Sequence, residues 1–125
     1  MSVKGRVLSE TPEGALQDVI KIASTLVDLL DREANDLAMN NAVSFASVQN
    51  EKEIWAQKYE QASIEFQARV GEFRNVDKSL LARFETVQDE LKNRAEKNAK
   101  LLAGLKKRQG DAISKRIKTQ GADES

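Results

Sequence analysis

The sequence predicts an all-α protein: three long antiparallel helices forming an elongated bundle or hairpin, with a flexible C-terminal tail. Three observations predict it. One proline and six glycines are spread over 125 residues, so helix breakers are scarce. Apolar residues recur at three- and four-residue spacings along most of the chain. Turn-forming residues gather at two places, Asn40-Asn41 and Asn75-Val76-Asp77.

The first helix is announced by Thr11-Pro12-Glu13. Thr11 suits the cap, Pro12 the first helical position, and Glu13 the positive end of the helix dipole. Leu16, Ala23, Leu30 and Leu37 then repeat every seven residues, with Val19, Ile20, Leu26, Val27 and Ala34 between them. This is one apolar stripe running to about residue 40. Ala15, Ile22 and Leu29 widen it beyond what a single neighbour buries. Asp18, Asp28, Asp31, Glu33 and Asp36 are assigned to the opposite, solvated face.

The second helix starts between Asn41 and Ser44, since asparagine favours caps and turns. Its stripe is Phe45, Val48, Trp55, Tyr59, Ala62, Phe66, Val70 and Phe73, and it ends near residues 71–74. Asn75 or Asp77 caps the third helix. Leu80, Leu81, Phe84, Val87, Leu91, Ala95, Asn98, Leu101, Leu102 and Leu105 form that helix's stripe. Glu90–Arg94 and Glu96–Lys100 are i,i+4 pairs in the favourable order, each worth about 0.3 kcal/mol. Lys106-Lys107-Arg108 followed by Gly110 has the form of a helix end. Helical spacing nevertheless continues through Ile113 and Ile117. The domain organisation expected is therefore a disordered N-terminus at 1–10, a helical bundle at 11–110, and a partly helical or disordered tail at 111–125.

Helices of roughly 28–32 residues would be roughly 42–48 Å long, and short connections make sequential neighbours antiparallel. So thin a rod leaves part of its apolar surface exposed or for a partner to cover.

Composition narrows the chemistry. The chain has no Cys and no His, which removes thiol chemistry, imidazole acid–base chemistry and the usual zinc ligands. Twenty basic residues balance twenty acidic ones, which argues against a nucleic-acid binder. No apolar run reaches the roughly 18 residues of a membrane span, and the start lacks the apolar core of a secretory signal. No nucleophile elbow, phosphate-binding glycine loop or calcium loop is present. The expectation is a cytoplasmic, non-enzymatic protein with no cofactor, no metal site and no small-molecule substrate, a monomer or weak dimer.

Four features invite closer reading. Trp55 and Tyr59, one turn apart, suit packing at a helix crossing, with their polar tips bonded at the edge; the alternative reading is a recognition patch. Acidic pairs such as Asp28 and Asp31, or Glu51 and Glu53, read as a solvated face. The basic residues Lys106, Lys107, Arg108, Lys115, Arg116 and Lys118 read as a helix end and solubilising tail, or as a contact surface. Asn98 is the one polar residue squarely on the third stripe. It either fixes register or partner choice from a buried position, or lies at a wet margin.

Three segments carry a resemblance. Leu29-Leu30-Asp31-Arg32-Glu33-Ala34, then residues 49–60 from Gln49 through Trp55 to Glu60, then Glu96-Lys97-Asn98-Ala99-Lys100-Leu101-Leu102 resemble the FlgN family of bacterial flagellar export chaperones. The likeness covers roughly residues 15 to 118. It implies a cytosolic chaperone that binds the amphipathic C-terminal helices of hook–filament junction proteins. Such a chaperone keeps them soluble for type III export and delivers them to the export apparatus. It also implies substrate contact toward the C-terminal helix, at Leu101, Leu102, Leu105, Ile113 and Ile117, beside Asn98. The alternative expectation is a coiled-coil scaffold, or a phasin-like amphipathic coat on a surface.

Overall fold

The computed structural model describes residues 6–124, with side chains described as far as Arg108. Among these residues every regular element is helical: α1 (Pro12–Ala38), α2 (Ala42–Ala68), a short 3₁₀ helix (Val70–Asn75) and α3 (Lys78–Glu124). Each boundary follows from local chemistry. Thr11 Oγ1 accepts from the Gly14 amide at 3.1 Å, and Pro12 occupies the first turn, where its missing N–H costs nothing. Asn40 adopts φ 55°, the left-handed conformation asparagine tolerates better than most residues. With Asn40 N–H bonded to Leu37 O and Asn41 N–H bonded to Asp36 O, α1 closes in a Schellman turn. Asn41 then caps α2 through its Oδ1 to the Ser44 amide. Asp77, rather than Asn75, caps α3, accepting from both the amide and the hydroxyl of Ser79.

α1 is the common spine. α2 packs antiparallel along one flank, so that Glu33 meets Lys52 while the residues just before α1 meet Arg69. α3 packs parallel along another, pairing Asp31 with Arg94 and Leu30 with Asn98. α2 and α3 have no comparable packing on each other. Two neighbours explain the over-wide stripe of α1: Ala15, Ile22 and Leu29 are buried along with Leu16, Val19, Ala23 and Leu26. Phe73, Val76, Leu80 and Val87 complete the core.

Several expectations are corrected. The N-terminus is not disordered from residue 7 onward. Leu8 is buried in the core, the Val7 and Leu8 amides donate to Glu65, and Arg69 donates to the carbonyls of Ser9 and Glu10. α2 stops at Ala68, and the chain tightens into the 3₁₀ helix before α3. Its apolar residues are spread around the axis, so only Val48 and Ala62 are fully buried. Arg94 reaches Asp31 on α1, not Glu90 on its own helix. The backbone of α3 stays helical through Gly110; the side chains of Ile113, Ile117 and the basic residues 115–118 lie outside the described residues. No helix among the described residues is long and apolar enough to cross a membrane.

Candidate helix-docking cleft

The three helices meet at one carboxylate. Glu33, assigned from sequence to the solvated face, is 1% exposed. Its Oε2 accepts from Lys52 Nζ at 2.5 Å and from the Gln49 amide, both on α2. Its Oε1 accepts from Asn98 Nδ2 on α3 at 2.8 Å. Burial pushes the Glu33 carboxyl up, but the hydrogen bonds from Lys52, Gln49 and Asn98, with the Lys52 charge, outweigh it. The group is held below its ordinary value of 4.5. Asp36, also assigned to the solvated face, is buried one turn further on and accepts from Ser44 Oγ at 2.8 Å. A signal for Glu33 was present: it falls seven residues after Leu26, on the buried stripe itself.

Asn98 is 3% exposed, which decides between its two readings in favour of the buried one. Its amide nitrogen also donates to the Leu30 carbonyl at 2.7 Å. It therefore locks α3 to α1 in a single register.

Beside this knot lies an apolar cleft of about 390 Å³. Leu26 and Leu30 of α1 form its floor, Ala56 and Tyr59 of α2 one wall, and Leu91, Ala95, Ala99 and Leu102 of α3 the other. Side-chain size explains where it opens. Toward the start of α3, large groups bridge the two walls: Phe66 stacks on Phe84 at 4.9 Å, and Tyr59 Oη donates to Gln88. Beyond Tyr59 the facing residues are alanines, which leave the gap unfilled. Trp55 is half-buried against the core, with Lys58 Nζ 4.2 Å from its ring, and Tyr59 both packs there and lines the cleft.

The candidate binding residues divide. Leu102 lines this cleft, and with Leu105 it lines a second hollow against Phe45 and the α1–α2 turn. Asn98 sits at the cleft but spends its amide hydrogens inside the fold. Leu101 is 40% exposed on the surface of α3. Ile113 and Ile117 lie outside the described residues. Sequence reasoning placed Ala95 on the third stripe but missed Ala56 and Ala99 as wall residues, because alanine on a helix carries no signal of facing a gap. Among the described residues no group of three or more acidic side chains is placed to hold a metal ion.

Comparison with known families, curated proteins and solved structures finds no match to this chain.

Proposed function

We propose that this protein works by binding rather than by catalysis, and that its cleft receives an amphipathic helix of a client protein. The cleft itself carries the reading. Its lining is mostly apolar, with Glu33, Lys52 and Asn98 as the polar members, its flanks are helices, and it stays open where Ala56 of α2 and Ala95 and Ala99 of α3 leave room. An amphipathic helix lays anchors at i, i+3/i+4 and i+7 into such a trough. Leu102 and Leu105 extend the apolar wall toward the α1–α2 turn. The resemblance to the FlgN chaperones names the client. It is the C-terminal helix of a hook–filament junction protein, kept soluble in the cytosol and handed to the type III export apparatus. Calorimetric titration with synthetic C-terminal helices of junction proteins tests this. Micromolar binding that disappears when Ala56→Trp fills the cleft supports it, and absence of binding at several hundred micromolar refutes it.

A scaffold reading draws on a different surface. Val43 is 84%, Ile54 55% and Ile64 59% exposed on the outer side of α2, and apolar groups there suit self-association or a coat. Sedimentation separates the two: a stable oligomer that is dispersed by Ile54→Glu favours the scaffold.

A further inference from the structure

The outer side of α2 is not an ordinary solvated helix face. Val48, Trp55 and Ala62 form the inward line of this helix. On the opposite side a second line runs from Val43 to Ala68 at alternating spacings of four and three. It holds Val43, Ile54 and Ile64, each more than half exposed, and the exposed amides Asn50 and Gln57. None of the charged residues of α2 falls on it. Glu53 and Glu60 stand along one flank, Lys58 and Glu65 along the other. Four-three spacing is that of a coiled-coil seam, whereas a helix face turned to water ordinarily carries charge.

The residues of this line select its occupant. An apolar helix laid on it would leave Asn50 and Gln57 without partners, and a charged one would meet no opposite charge along it. A second copy of the chain answers each position. Val43 and Ile64, three heptads apart, meet their own copies, as Ile54 does. A neutral amide carries both donor and acceptor, so Asn50 and Gln57 also bond to their own copies. Parallel alignment sets Glu53 of one copy beside Lys58 of the other, twice by symmetry. Glu60 then faces Glu65, whose carboxylate is already engaged by the Val7 and Leu8 amides. Antiparallel alignment would instead oppose Ile54 to Gln57 and Glu53 to Glu60.

We propose that the protein forms a two-fold symmetric dimer through the outer face of α2, the two helices parallel and in register. This rests on reading that face as a self-association surface, and adds the partner, the orientation and the register. The cleft opens on another side of α2, so the dimer keeps two clefts free.

Sedimentation equilibrium of the full chain over a range of concentrations is the first measurement, with a reversible monomer–dimer equilibrium expected. Ile54→Glu removes two isoleucines from the seam and adds two carboxylates. It should weaken the dimer about a hundredfold while leaving the helical circular dichroism unchanged, because Ile54 is outside the core. Ala56→Trp, which fills the cleft, should leave the dimer as it is. Orientation is read by cross-linking, since the chain has no cysteine of its own. In a glutathione redox buffer Gln57→Cys should give a covalent dimer, and Asp89→Cys, on the exposed side of α3, should not. A chain that stays monomeric at several hundred micromolar overturns both the self-association reading and this dimer. A dimer indifferent to Ile54→Glu, or one in which Gln57→Cys cross-links no faster than Asp89→Cys, overturns the parallel seam and leaves self-association standing.

Discussion

Asn98 Nδ2 of α3 lies 2.8 Å from Glu33 Oε1 and 2.7 Å from the Leu30 carbonyl oxygen, so one amide nitrogen joins α3 to α1 through two acceptors one turn apart. Removing it leaves Glu33 buried with one oxygen short of a donor. Asn98→Leu is expected to lower unfolding free energy by about 2–3 kcal/mol, since a bond to a charged acceptor and a neutral one are both lost. Urea titration measures this. Adding Glu33→Met should cost less than the sum of the two single changes, by about 1–2 kcal/mol, because the apolar pair no longer buries an unanswered charge. Strict additivity would show that the two side chains do not act as a unit.

Acid stability depends on three carboxylates held low in the fold: Asp77, which accepts from the Ser79 amide and hydroxyl, and two glutamates. Glu33 is held low against the opposing effect of burial by Lys52, Gln49 and Asn98. Glu65 is likewise pushed up by burial, and held low overall by the Val7 and Leu8 amides, Gln61 and the Arg6 charge. Their folded values lie below the ordinary 4.5, so the unfolded state binds protons first on acidification. The stabilisation is complete well above pH 4.5 and is lost as pH falls through the folded values. Unfolding free energy measured from pH 7 down to pH 3 should therefore drop, and Glu33→Gln should flatten the slope while lowering the plateau.

The N-terminal segment should matter to stability out of proportion to its length. Leu8 fills the core beside α1, and Arg69 holds the Ser9 and Glu10 carbonyls at 2.7 Å each. Leu8→Ala is expected to cost about 2–4 kcal/mol, and Arg69→Ala less, because its bonds are exposed. Thermal melts should order the two variants this way, and limited proteolysis should cut near residue 10 first in Leu8→Ala.

Two glycines give opposite results on the same substitution. Nothing lies within 4 Å of a Cβ built on Gly104, in the interior of α3. Gly104→Ala should stabilise by about 0.5–1 kcal/mol, the usual gain of alanine in a helix. At Gly14 a Cβ would meet Thr11 Oγ1 at 2.6 Å and Ser9 Cβ at 2.9 Å. Gly14→Ala should therefore disrupt the cap of α1 and lower the melting temperature. Two upward shifts would mean that the Thr11 cap contributes nothing.

The fold was legible where backbone chemistry is local. Thr11-Pro12 and Asn40-Asn41 mark the ends of α1 because capping needs particular atoms at particular positions. The wide stripe from Ala15 to Leu30 announced two neighbours for the same reason that it buries two flanks. Glu33 and Asp36 were misplaced because a carboxylate is read as solvated until its donors are known, and those donors, Gln49, Lys52, Asn98 and Ser44, come from other elements. Leu8 was missed because one buried residue in a non-helical segment has no period to detect. The cleft could not be read from sequence, since it arises where alanines from two helices happen to oppose each other.

The position of α1 between two partners has a consequence for how the sequence can change over time. Twelve of its residues are buried, against two on α2. A substitution on α1 is therefore felt at two interfaces, while most of α2 answers only to solvent. Under selection for folding alone, mutational drift should concentrate on the outer side of α2, around Val43, Ile54 and Ile64. A random-substitution library screened for folding should keep α1 nearly fixed and rewrite α2 freely.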